Sequence, residues 1–270
     1  MPQNYRFQLL APLHSRTGSA IGRSTVDEEL YRRHFASMQR LRGRVYLKDG
    51  AIQPWELDET GRFHMHGDEQ SWHFLLIDDQ EEVIGCARYL LHPDGVGYDQ
   101  LRLRHSALAN DPSWGEKVRS AVEADLEYAQ REGLSYVELG GWALSEEWRG
   151  TKAALEILLA SYAWAQSVGN CICACTATVR NNSASILRRI GGRGLQADGE
   201  SLPTYNDPQY GCLMELLRFD SRSVDQRFVA IVEQIKSKLA KSVVIAGAKS
   251  PVWAFPSFQT RRIASFMLAS

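Results

Sequence analysis

A carboxylate on a strand, followed at once by an anion-binding turn, is the part of this chain best suited to chemistry. Glu138 opens the run Glu138-Leu-Gly-Gly-Trp-Ala-Leu144, which leads straight into Ser145-Glu-Glu-Trp-Arg-Gly-Thr-Lys-Ala-Ala154. The first run reads as a strand ending near Leu144, the second as a short basic turn that opens a long amphipathic helix. The first N–H groups of a helix have no intrahelical partner, and together with the helix dipole they favour a phosphate. Arg149 and Lys152 put positive charge where the dipole disfavours it, so an anion partner is expected there. Gly150, Thr151, Ala153 and Ala154 complete the turn. Glu138 can take a proton from an attacking amine, directly or through one water; the competing reading is a structural carboxylate paired with Arg or Lys. Gly140 and Gly141 sit inside a strand, where glycine marks a bulge, a close backbone approach or a packing kink. Acid/base residue and anion cradle in one unit point to group transfer from a phosphorylated carrier.

Other side chains invite chemistry with simpler alternatives beside them. Arg88, flanked by Gly85 and Ala87, could fork onto a carboxylate or form a salt bridge to Asp58 or Glu56. Arg188, Arg189 and Arg193 could meet an acidic carrier protein, a nucleotide phosphate or water alone. His64, His66 and His73 are spread over an irregular loop and a strand, present no ligand face, and read as surface histidines. Cys171, Cys173 and Cys175 share one face of a strand and read as core rather than metal ligands. No metal is expected. With Cys86 and Cys212 the cysteines number five, an odd count that fits a reducing compartment.

The elements that must position these groups follow from periodicity. Of the 270 residues 44% are hydrophobic and 23% charged, which describes an ordinary soluble protein, and the net charge of -1 gives no global case for nucleic-acid binding. No signal peptide or bilayer-length apolar run is read, so a cytoplasmic protein is expected. Residues 1–24 read as a loosely ordered arm, 25–220 as the main domain, and 221–270 as a helix with an apolar tail. The spacing predicts a helix over Val26–Arg42, a long polar loop over Lys48–Gln70, and a hairpin from Trp72–Ile77 and Val83–Leu91. Leu101–Leu108 is a short strand or an irregular edge. A helix over Trp114–Arg131 ends at Gly133, a strand spans Leu134–Leu144, and a helix over Glu146–Val168 is capped by Gly169. Cys171–Val179 is a strand, Ser183–Arg189 a short helix, Tyr210–Phe219 a strand and Val224–Lys241 a helix. The tail from Ser242 could cap the core or meet a partner. The layout is α/β, a mixed central sheet flanked by helices.

The strand–turn–helix unit, then a strand and a short helix ending in Gly-Gly, resembles the GCN5-related N-acyltransferase fold. That superfamily's turn reads Arg/Gln-x-x-Gly-x-Gly/Ala and binds the pyrophosphate of an acyl carrier; here it is Arg149-Gly-Thr-Lys-Ala-Ala154, with Lys152 at the middle glycine. Ser183-Ala-Ser-Ile-Leu-Arg-Arg-Ile-Gly191 is similar to the second carrier-side helix, with Asn181 and Asn182 before it and Leu187 where a Tyr usually reprotonates the leaving thiolate. Leu41-Arg-Gly-Arg-Val-Tyr46, Trp55-Glu-Leu-Asp58, Ser71-Trp-His-Phe-Leu-Leu-Ile77 and Val83-Ile-Gly-Cys-Ala-Arg-Tyr89 follow the order of the acyl-homoserine-lactone synthases and long-chain N-acyl amino acid synthases. Their Glu-x-Ser-Arg-Phe-x-Val strand resembles Glu138–Leu144, with the Ser-Arg pair replaced by Gly140-Gly141.

The resemblance implies an N-acyltransferase that moves an acyl group, fatty in kind, from an acyl carrier protein or coenzyme A thioester to the amine of an amino acid or similar small acceptor. Glu138 deprotonates the amine, and backbone N–H groups around Gly141 and Trp142 polarise the carbonyl. Arg149 to Ala154, with Leu144 and Asn182, hold the carrier, while Arg42, Trp55 and Arg88 hold the acceptor and Asp68 joins an acidic loop. The thioester is a co-substrate and no cofactor stays bound. Peripheral membrane contact falls to the apolar tail. The alternatives are an acetyl coenzyme A-dependent acetyltransferase and a catalytically inactive binding module.

Overall fold

The structure, a computed structural model, describes residues 4–13 and 23–247. In chain order the strands are β1 (Tyr5–Leu10), β2 (Arg23–Val26), β3 (Trp72–Asp78), β4 (Val83–Leu91), β5 (Ser135–Leu144), β6 (Cys171–Thr178), β7 (Arg193–Gly194), β8 (Gln196–Ala197), β9 (Glu200–Ser201), β10 (Tyr205–Asp207), β11 (Cys212–Asp220) and β12 (Val243–Ala246). The helices are α1 (Glu28–Lys48), α2 (Gly115–Glu132), α3 (Lys152–Val168), α4 (Ser183–Arg189) and α5 (Val229–Lys241). One mixed sheet runs β10-β11-β6-β5-β4-β3-β1-β12-β2, with β7 beside β11 and β8–β9 a separate ribbon.

Side chains alternate across the strands and so build two cores. On one face α1 packs on Leu75, Ile77, Cys86 and Ala143, while α2 packs on Tyr136, Ile172, Ala174 and Leu216. On the other face α3, α4 and α5 cover Phe74, Tyr89, Val137, Cys173 and Phe219. The expected mixed sheet with flanking helices is borne out. Cys171, Cys173 and Cys175 are buried thiols, as expected.

Local chemistry accounts for most of the boundaries. Asp27 caps α1 through the Leu30 N–H, and Gly133, at φ 67°, ends α2 in the left-handed region. α1 runs six residues past Arg42, through Gly43. A Cβ on Gly43 would stand 2.7 Å from the Gly61 carbonyl oxygen, so this glycine admits a crossing loop and is no helix stop. α3 begins at Lys152, not Glu146: one 3-10 turn spans Glu146–Trp148, and Thr151 then caps the helix through the Ala153 N–H. Leu101–Leu108 forms 3-10 turns and no strand.

Two expectations are corrected at the far edge of the sheet. Tyr5–Leu10 is no loose arm; it pairs antiparallel with β3 along its length. Val243–Ala246, read as the start of the tail, lies between β1 and β2 and is parallel to both. Residues 248–270, where membrane contact was expected, lie outside the described residues. Among the described residues no helix is long and apolar enough to cross a membrane.

Candidate active site

The parallel pair β5–β6 is in register from Ser135 opposite Cys171 to Glu138 opposite Ala174, and there its pairing ends. On the other side of β5, Arg88 pairs with Gly140 and Cys86 with Ala143, so Gly141 and Trp142 together face the single residue Ala87. This is a β-bulge, which bends a strand and takes the extra residue out of the ladder. Gly141 has φ 61°; a Cβ there would lie 3.1 Å from both Arg42 Nη1 and Arg88 Cβ. The paired glycines thus mark both a bulge and a close approach.

The parted strands open a cavity of about 310 Å³ that reaches both faces of the sheet. On the α3 side it is lined by Leu158, Tyr162, Cys175, Leu187, Ile190 and Phe219, on the α1–α2 side by Tyr46, Met65, Arg88, Arg102, Tyr205 and Tyr210. Its size falls within the range of small-molecule sites.

Glu138 lies at the apex of the wedge, 5% exposed. Its Oε2 accepts from the Arg102 N–H at 3.0 Å and sits 2.9 Å from His92 Nε2, and its Oε1 accepts from the Leu103 N–H at 2.8 Å. Burial alone would raise its pKa, but the His92 hydrogen bond and the two N–H donors hold it below the usual carboxylate value. Glu138 is therefore an ionised carboxylate on an interior strand, with neither Arg nor Lys side chain as its partner among the described residues.

The acceptor residues read from sequence separate in space. Arg42 is fully buried and outside the cavity lining. Its guanidinium grips Asp68 through both terminal nitrogens and donates to the Phe63 carbonyl, which ties α1 to the loop that follows. Arg88 does line the cavity, 4% exposed. It donates from Nη1 to the His66 carbonyl at 3.0 Å, and its nearest carboxylate is Asp68 at 3.9 Å, not Asp58 or Glu56. Burial and the neighbouring Arg102 push its pKa down to about 10. Asp58 binds Arg62 and His64 instead. Trp55 is 79% exposed and away from the cavity.

The basic turn has an anion partner, and it is internal. Arg149 contacts both carboxylate oxygens of Asp49 at 3.0–3.3 Å, and Lys48 pairs with Glu146 beside it, so the end of α1 is tied to the turn. Lys152 stands 5.8 Å over the Tyr5 ring. Leu144 and residues 149–154 do not line the cavity, and neither does Asn182; α3 contributes Leu158, Ser161 and Tyr162, and α4 contributes Ser183 and Leu187. Of the second basic cluster, Arg188 pairs with Glu215, and Arg189 and Arg193 are exposed.

His73 corrects the reading of three surface histidines. His64 and His66 are exposed, but His73 is fully buried, donates from Nε2 to the Asp68 carbonyl at 2.8 Å, and stands edge-on to Phe35. Its pKa falls to about 4, chiefly from burial. Among the described residues no cluster of His, Cys, Asp or Glu could hold a metal. Sequence reasoning missed Arg102 and His92. No local pattern marked Arg102, because it opens a 3-10 turn, where the period-2 alternation of a strand does not apply.

Comparison with known proteins adds the fold. No protein-family sequence model and no curated protein matches the chain. Among solved structures, the coenzyme A-dependent acyl-homoserine lactone synthase BjaI, with MTA, aligns over 91% of this chain and 95% of its own at 11% identity and a TM-score of 0.55. The chain has the fold of the acyl-homoserine lactone synthases. BjaI with SAM and isopentyl-CoA gives a TM-score of 0.52. A second such synthase, MesI, covers 90% of this chain and 100% of its own at 14% identity and 0.51. The likeness in fold to the acyl-homoserine lactone synthases, expected from the motifs, is thereby borne out.

Proposed function

We propose that the protein is an N-acyltransferase that moves an acyl group from a thioester carrier to the amine of a small acceptor. The observation that carries this reading is the parting of β5 from β6 at Glu138 and Ala174, beside a bulge, with a cavity through the sheet at that point. A carrier's pantetheine arm enters between the strands, and an amine reaches the same point from the α1–α2 side. The amine nitrogen attacks the thioester carbonyl, the C–S bond breaks, and the thiolate leaves. Glu138 receives the amine proton, directly or through one water. Backbone groups of Gly141 and Trp142, released from the ladder by the bulge, polarise the carbonyl. The turn at Arg149–Ala154 takes the carrier's phosphate, which requires Arg149 to exchange Asp49 for it. Water supplies the proton to the thiolate, since position 187 is Leu.

The lining of the α3 side favours a fatty acyl donor over acetyl. Leu158, Leu187, Ile190 and Phe219 present apolar surface that a two-carbon group leaves bare. The protein, given acyl-coenzyme A donors from two to twelve carbons and a panel of amines, is expected to release thiol faster with the longer chains. Strict preference for acetyl makes it an acetyltransferase, and no release from coenzyme A or carrier-protein donors leaves a binding module.

A further inference from the structure

On the acceptor side of the cavity two guanidinium groups have no carboxylate bonded to them, because the lining carboxylates Asp49, Glu138 and Asp207 are held by other groups. Arg88 is almost wholly buried, yet among the described residues its Nε has no hydrogen-bond partner and its Nη1 donates to a backbone carbonyl, that of His66. Arg102 lines the same cavity; its Nη1 is buried without a partner, and no ion pair holds its guanidinium among the described residues. The carboxylate nearest to Arg88 is Asp68, already gripped through both terminal nitrogens by Arg42. Two guanidinium groups facing one cavity with no carboxylate of their own are costly unless an anion arrives with the ligand. The loop that presents Arg102 is fixed from beneath, because its N–H and that of Leu103 both donate to the Glu138 carboxylate.

We propose that Arg102 is a specificity-determining residue: together with Arg88 it holds a carboxylate on the amine acceptor, and Glu138 is the positioning residue that sets it there. Arg102 thus takes the place that sequence reading gave to Arg42. A zwitterionic acceptor then spans the site, its carboxylate on the two arginines and its ammonium toward ionised Glu138. Tyr46, Tyr205 and Tyr210 on the same wall suit an acceptor with an apolar or aromatic body. The inference rests on the acyl-transfer reading in taking this wall as the acceptor side, so binding and turnover are measured separately.

Thermal shift with L-phenylalanine, L-leucine and glycine, each against its carboxamide, reads binding without chemistry. The wild-type protein is expected to gain more Tm from at least one acid than from the matching amide. Arg102→Gln is expected to abolish that difference, and Arg102→Lys to keep part of it. In turnover, Arg102→Gln should raise the acceptor KM about 10- to 100-fold, the range of a charged hydrogen bond, with kcat and donor KM nearly unchanged. Equal response to acid and amide in the wild type overturns the proposal, as does an unchanged acid preference in Arg102→Gln. Inorganic phosphate protecting through Arg102 better than every acid also overturns it and assigns the arginines to the carrier. Acid binding lost in Arg102→Gln, with no thiol release from any donor, upholds Arg102 and removes the transfer reading.

Discussion

Glu138 and Ala174 are the last paired residues of β5 and β6, and the cavity begins where their pairing stops. The carboxylate at that apex also holds the loop above it, so its removal has two separable effects. Glu138→Gln keeps a carbonyl oxygen for one N–H donor but loses the charge. Thiol release is expected to fall about 10²- to 10⁴-fold, the usual worth of a positioned acid/base group, mainly in kcat. Unaltered kcat, measured with saturating acceptor, would remove Glu138 from proton transfer.

Gly141 is constrained by conformation and by space. Gly141→Ala places a Cβ in left-handed backbone and 3.1 Å from two arginine side chains, and is expected to cost about 1–3 kcal/mol. Gly140→Ala, whose Cβ meets only Arg88 Nη2 at 3.4 Å, should cost clearly less. Urea denaturation of the two variants decides; equal costs would mean the bulge does not need its glycine.

Breaking the Arg42–Asp68 pair strands a buried charge. Arg42→Met is expected to destabilise by about 3–5 kcal/mol, and the double change Arg42→Met with Asp68→Leu to recover most of it. A double-mutant cycle in urea tests this. Additive losses would show the pair to be uncoupled.

His73 makes the fold sensitive to acid. Its folded pKa of about 4 lies below the ordinary 6.5, so between those values the unfolded chain binds more protons and stability falls as pH drops. The loss is about 3 kcal/mol over that window, levelling off near pH 4. Asp68 and Glu138, both held below their ordinary values, add further loss in the acid range as they protonate. Stability of His73→Phe measured from pH 7 to 4 should show a shallower slope; an equal slope would place the sensitivity elsewhere.

Leu187 lines the α3 side of the cavity. Leu187→Trp should shorten the preferred acyl chain while leaving the fold intact, because the residue is only partly buried. A chain-length profile unchanged by this substitution would show the acyl group lodging elsewhere.

What was legible in the sequence was local. The β3–β4 hairpin, the end of α2 at Gly133, and β6 with its three inward thiols follow from period and punctuation within a few residues. β1 and β12 were missed because each is short and is defined by a partner far away in the chain, which no local period reports. The site was half legible. Glu138 and the two glycines announce themselves by type and place, whereas the position of Arg42 outside the cavity, with Arg102 in its lining, depends on which guanidinium Asp68 captures. His73 was misread for a related reason: its acceptor is a carbonyl in an irregular loop.

The strand order at the far edge has a consequence for biosynthesis. β12 separates β1 from β2, although more than two hundred residues of chain come between them and it. While the protein emerges from the ribosome, β1 can dock on β3, but its other edge stays open until residue 246 is out. That bare edge is a template for pairing with other chains, so release from the ribosome before residue 243 should yield aggregates even though every wedge residue has already been made.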